Sequence, residues 1–114
     1  MEIKLILAMV RRDRLETIEQ KLKEVGAERV DVSTVKGYGE YRNFFSSDWM
    51  GEEVRIEVFT RQHKAALVVQ AIVDGAHTGT PGDGVVAVLP VDELHLVRTR
   101  AEVTPEEFWP KPAT

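Results

Sequence analysis

Apolar and polar positions along the chain divide it into short elements of two different periods. Residues 2–10 read as a strand in which Ile3, Leu5, Leu7 and Met9 alternate with Lys4, Ile6, Ala8 and Val10. Its later half is apolar on both faces, as in a strand covered on both sides. The period then changes to that of a helix: Leu15, Ile18, Leu22 and Val25 fall on one face. Asp13 stands three positions before Glu16, the spacing of a capping box. Lys21 and Lys23 suit the negative end of the helix dipole, and Gly26 is placed to terminate it. A second strand, rich in Val and Thr, is expected over 29–36. Val54, Ile56 and Val58 alternate with Arg55, Glu57 and Phe59 in a third. Thr60 is positioned to cap a second helix with the stripe Ala65, Val68, Val69 and Ile72, which Gly75 would stop. A strand over 85–89 and a short one over 94–100 follow. Thr104 and Pro105 then read as a helix start, and Pro110 and Pro112 bar any long continuation.

The order strand, helix, strand, strand, helix, strand predicts an α+β fold, the ferredoxin-like βαββαβ sandwich, as one domain over residues 1–114. Two helices cover only one face of a four-stranded sheet. The apolar second faces of the first and fourth strands therefore call for a partner, most simply other copies of the chain. Arg55 and Glu57 are the polar exceptions on that face.

Composition narrows the function. A chain of 114 residues with 43% apolar residues has a modest core, and association would help it. A net charge of −4 argues against general nucleic-acid binding, despite the cluster of Lys4, Arg11, Arg12 and Arg14. The absence of cysteine removes disulfides, thiolate metal sites and cysteine nucleophiles, and suits a reducing compartment. No basic leader precedes the first strand, and the apolar run 5–10 is too short for a membrane span. The expectation is a cytoplasmic protein able to dock on a membrane protein.

Catalytic chemistry has little to stand on. His63, His77 and His95 match no metal spacing, and Glu52–Glu53 and Glu106–Glu107 are adjacent pairs that point apart. No catalytic or metal site is expected. Two glycine-rich segments are more informative. Gly37–Tyr38–Gly39 leaves the second strand, and Thr78–Gly84 holds three glycines and enters a strand directly. Such a segment is either an ordinary turn or a place where backbone amides approach a ligand. Between the second and third strands lies an aperiodic stretch with Tyr41, Phe44, Phe45 and Trp49. Aromatic rings in a long polar loop are interface anchors by type.

At Val35–Gly39, Val54–Val58, Thr78–Gly84 and Leu94–Thr99 the chain resembles the PII signal-transduction family, with the elements in matching order. The resemblance covers residues 2 to 100 and implies a non-enzymatic homotrimer with adenine nucleotide in the clefts between subunits. It carries the cleft onto Met9, Asp31, Gly37, Tyr38, Gly39, Val58, Phe59, Gly82, Asp83 and Gly84, with Arg98 from a neighbouring chain. The family's T-loop, which engages a transporter or enzyme, falls on 39–53; Tyr41, Phe44, Phe45, Ser46 and Trp49 are its candidate contacts, and 101–114 is a C-terminal tail.

Several positions depart from the family pattern. Glu40–Tyr41 stand where Arg–Gln are usual, Val85 where a cation follows Gly-Asp-Gly, and Leu96 where the first of two arginines is usual. Glu53 replaces a basic residue, Ser46 takes the place of a modifiable tyrosine, and the T-loop is shorter. A triphosphate needs several cationic or amide partners. The expected ligand is therefore AMP, ADP or a cyclic adenine nucleotide, in preference to ATP with 2-oxoglutarate, with bicarbonate as an accompanying anion. The expected role is control of a transporter or enzyme, for bicarbonate or another small solute, in a branch away from the nitrogen regulators. The alternatives are an interaction trimer independent of nucleotide and a metal-tolerance protein of the CutA type.

Overall fold

A computed structural model describes residues 2–27, 29–37 and 51–104 of the chain. Tyr38, Gly39, the aromatic stretch from Tyr41 to Trp49 and the tail beyond Thr104 lie outside the described residues, so the expectations for them are not addressed by it.

The strands are β1 (Ile3–Arg11), β2 (Val30–Gly37), β3 (Gly51–Arg61) and β4 (Gly84–Pro90), in one antiparallel sheet of order β2-β3-β1-β4. Helices α1 (Leu15–Glu24) and α2 (Ala65–Ala76) supply the two crossovers. This is the ferredoxin-like arrangement. The register explains the core. Ile6 lies opposite Val58 and Val88, and Ala8 opposite Ile56 and Val86; Val10 lies opposite Val54 and Gly84. These residues point toward the helices, where Ile18 and Leu22 of α1 meet Val68, Ala71 and Ile72 of α2 in one buried cluster. Both helical stripes read from the sequence face this core, with Leu15, Val25, Ala65 and Val69 at its margin.

Among the described residues, no helix covers the other face. Leu5, Leu7 and Met9 of β1 lie beside Leu89, Ala87 and Val85 of β4, respectively. Across β1, the same rows continue into Phe59, Glu57 and Arg55 of β3, so the open face is apolar on one half and polar on the other. Val85 and Leu89 are exposed here.

Three local expectations are corrected. Asp13 does not cap α1: a single 3-10 turn, Arg12–Arg14, precedes the helix, and Asp13 is ion-paired to Arg11. Thr60 is a fully buried β3 residue, and a second 3-10 turn, Gln62–Lys64, leads into α2. In both places the strand continues into a tight turn, which moves the helix start past the expected cap. Gly75 does not end α2 but lies inside it, because α1 crosses there. A Cβ on Gly75 would stand 2.9 Å from Ile18 Cα. Gly26, by contrast, does end α1. At φ +79 it donates to Lys23 O at 3.1 Å while Ala27 donates to Leu22 O at 3.0 Å, the double bond of a Schellman cap.

The last expected strand is instead a hairpin, β5 (His95–Leu96) and β6 (Ala101–Glu102), closed by Val97–Arg100. Val103 donates to Leu94 O at 2.7 Å and packs on Ile3, so burial of Val103 folds the chain back. Gly51, Glu52 and Glu53 belong to β3, which shortens the loop expected over 39–53.

Candidate functional site

At one end of the sheet, α2 stops, β1 ends and β4 begins, and the 77–83 connection folds over that junction. His77 is the last residue tied to α2, its amide donating to Val73 O at 2.9 Å. Asp83 then reaches back. Its Oδ2 accepts the amides of Thr78 at 2.8 Å and Gly79 at 2.9 Å, and its Oδ1 accepts the Thr78 hydroxyl. Since that hydroxyl has one proton, the Thr80 hydroxyl must be the donor in its 2.7 Å contact with Thr78. Donors around a carboxylate stabilise its ionised form. The Thr78 hydroxyl, then the Thr78 and Gly79 amides and His77, hold the Asp83 carboxyl down at about 2.

The glycines let the backbone pass where side chains would block it. Gly84 adopts φ +107, and a Cβ there would lie 2.0 Å from the carbonyl oxygen of Met9. No other residue fits that contact, which presses the start of β4 against β1. Gly82, at φ +97, faces open space. Beneath the loop is a cavity of about 180 Å³ with Val10, Val73, Ala76 and Val86 in its wall and His77 and Asp83 at its edge. The result is a preformed loop of backbone amides, with no lysine or arginine inside it, above a small apolar recess.

Arg11 is the cation beside this loop, a role the sequence reading had not assigned. Its guanidinium donates to Asp13 at 3.1 and 2.6 Å, and that bond, with the nearby Asp83 charge, holds its pKa above the usual arginine value. The reading also missed Arg14, whose Nε donates to Gly75 O at 2.9 Å and so holds the C-terminal end of α2. Each depends on a partner that sequence spacing does not reveal.

The expected ligand residues divide into groups. Met9, Gly82, Asp83 and Gly84 come together at the loop. Gly37 ends β2, opposite Gly51, and Asp31 is exposed opposite Glu57. Val58 is fully buried under the helices, so its side chain does not reach the surface. Phe59 is half-buried and packs with Ile3 and Val103, toward the other end of the sheet. Arg98 is exposed in the hairpin loop. The base of that hairpin rests on Ile3, while the glycine loop leans on Val10. At about 3.3 Å per residue these points on β1 are roughly 23 Å apart. Among the described residues, no three His, Asp or Glu side chains gather as a metal site, and no helix is long and apolar enough to cross a membrane.

Comparison with known proteins agrees with this architecture. The sequence matches the family model "Nitrogen regulatory protein P-II" over residues 3–101. It is 39% identical over 105 residues to the nitrogen regulatory protein GlnK2 of Haloferax mediterranei, covering 85% of each chain. It is 30% identical to the nitrogen regulatory protein P-II of Azospirillum brasilense, over 85% of this chain and 93% of that one. A crystal structure of Arabidopsis thaliana PII bound to citrate superposes with a TM-score of 0.74 at 30% identity, over 90% of this chain and 89% of that one. A βαββαβ sheet with one open face and a glycine loop at the β1–β4 junction thus meets a match over nearly the whole chain, and this protein belongs to the P-II family of regulatory, non-catalytic signal transducers.

Proposed function

We propose that three copies of the chain associate through the open sheet face and bind an adenine nucleotide carrying fewer phosphates than ATP in the clefts between them. Occupancy of the clefts then governs how the segment 39–53, with Tyr41, Phe44, Phe45, Ser46 and Trp49, engages a membrane transporter or enzyme. The observation that carries this reading is the Thr78–Gly84 loop, held in shape by Asp83 and free of cationic side chains. Backbone amides at positive-φ glycines are suited to an anion of modest charge. Val85, exposed at the loop's exit, supplies no cation for a third phosphate. Each missing charged hydrogen bond is worth about 1.5–3 kcal/mol. Met9, Gly37, Tyr38, Gly39, Gly82 and Gly84 remain the proposed contacts, with Asp31 and Phe59 at the margins and Arg98 from a neighbouring copy. Asp83 acts by shaping the loop. The names of the relatives favour nitrogen regulation over bicarbonate or another small solute as the controlled process.

Calorimetry with AMP, ADP, a cyclic adenine nucleotide and magnesium ATP, each with and without 2-oxoglutarate, tests the reading. One of the first three should bind most tightly, with 2-oxoglutarate having little effect. Magnesium ATP as the tightest ligand, sharpened by 2-oxoglutarate, overturns the specificity. No binding by any of them leaves the nucleotide-independent trimer.

A further inference from the structure

Helix α1 leaves part of β2 uncovered. Between the two lies a groove of about 220 Å³ lined by Glu19, Leu22, Lys23, Ala27, Val30 and Val32. Leu22 is buried, whereas Val32 is 42% exposed although it lies opposite the core residue Ile56. Strand β2 runs parallel to β1, since both are antiparallel to β3, and α1 returns between them. From Ala27 outward, one wall therefore reads Lys23 then Glu19, and the other Val30 then Val32. Over that stretch each wall rises about 6–7 Å. The groove is a short apolar slot with a cation toward its Ala27 end and an anion toward the other.

The described chain ends beside this slot. Val103 is buried with Ile3, and Ala27 packs on the same pair. Ala27 is thus shared by the slot and by the place from which residues 105–114 depart. Trp109 stands six residues beyond Val103, a reach of about 20 Å and enough to lie along the slot. Trp109 precedes Pro110, and Lys111 precedes Pro112. The residue before a proline is biased to extended backbone, and alternate residues of an extended chain share a face. Glu107, Trp109 and Lys111 then make one face: an anion, a large ring and a cation. From the end where the tail arrives, the slot offers a cation, an apolar wall and an anion in the matching order.

We propose that the tail folds back into the slot of its own chain, with Trp109 against Leu22, Val30 and Val32, Glu107 at Lys23 and Lys111 at Glu19. The ring covers the exposed flank of β2, and the two charge pairs fix the direction in which the tail lies. This latch ties the C-terminal segment to α1 and β2 and does not depend on the reading of the glycine loop.

The chain has no cysteine, so an introduced disulfide reports the docking. Under mild oxidation of the full-length protein, Glu19→Cys with Lys111→Cys should bridge at the mass of one chain on a denaturing gel. It should do so faster than Gln70→Cys with Lys111→Cys, whose first site is exposed on α2. Trp49→Phe leaves Trp109 as the sole tryptophan. In that background its emission should be blue-shifted, and Val32→Asp should move it toward that of free indole while the circular dichroism stays unchanged. Equal bridging of the two cysteine pairs overturns the latch. So does the emission of a solvated indole before Val32 is changed, or an emission indifferent to Val32→Asp. A bridge at the mass of two chains also overturns it, because the slot then holds a neighbour's tail.

Discussion

Asp83 accepts every hydrogen bond described for it from its own loop, and its low pKa is the signature of that arrangement. Replacing one carboxylate oxygen by an amide nitrogen turns an acceptor into a donor facing N–H groups. Asp83→Asn should therefore cost about 1–2 kcal/mol of stability at neutral pH and loosen the glycine backbone at the proposed ligand site. The pH dependence has a definite sign. The folded-state pKa, about 2, lies below the ordinary aspartate value of 3.8, so the stabilisation is complete above pH 3.8 and is lost as pH falls toward 2. Urea unfolding at pH 7 and pH 3 should show the gap between native protein and Asp83→Asn narrowing in acid. A gap that widens in acid would contradict this account of the carboxylate.

At the scale of elements, the contact between α1 and α2 sets where the site can form. Gly75 allows α2 to approach the backbone of Ile18, and Arg14 binds the carbonyl of Gly75. The loop that carries Asp83 begins two residues beyond Ala76. Alanine at position 75 gains helix propensity of about 1 kcal/mol, but its methyl group meets main-chain atoms at 2.9 and 3.2 Å that cannot rotate away. Overpacking of this kind costs about 1–3 kcal/mol. The net expectation for Gly75→Ala is a loss of stability in chemical denaturation, together with weaker binding of the proposed nucleotide because the end of α2 shifts. A stabilised variant would mean that the helices separate freely and that the crossing does not position the loop.

At the scale of the whole molecule, the described residues form a four-stranded sheet with helices on one face, and the small β5–β6 hairpin beside it. Leu5, Leu7 and Met9 with Ala87, Val85 and Leu89 form an apolar band on the other side, next to Arg55 and Glu57. Such a band on a chain of this size favours assembly. Light scattering should give a mass near three times 12.9 kDa, and Leu7→Glu should shift it to that of a single chain while leaving the helical circular dichroism in place. A native mass equal to one chain at micromolar concentration would exclude the trimer.

Period and spacing in the sequence determined the strand and helix order, both helical stripes and the two-sided apolar character of β1, because each is a local repeat of burial. They also determined the position of the Thr78–Gly84 loop, since three glycines at the entry to a strand mark a special backbone. Local pattern failed where a residue's partner is distant along the chain. Gly75 reads as a helix stop until α1 is seen crossing it at Ile18, and Asp13 reads as a cap until Arg11 takes its carboxylate. Thr60 reads as a cap until the 3-10 turn after β3 carries the helix start beyond it. Nothing in the spacing of Asp83 tells that its oxygens face Thr78 and Gly79 of its own loop. Arg100 is one more exposed arginine in the sequence, and only the folded hairpin reveals its left-handed backbone. A hydrophobic period needs nothing beyond the next turn or the next residue but one, whereas ion pairs, close helix crossings and strained turns exist only once the chain has brought separate segments together.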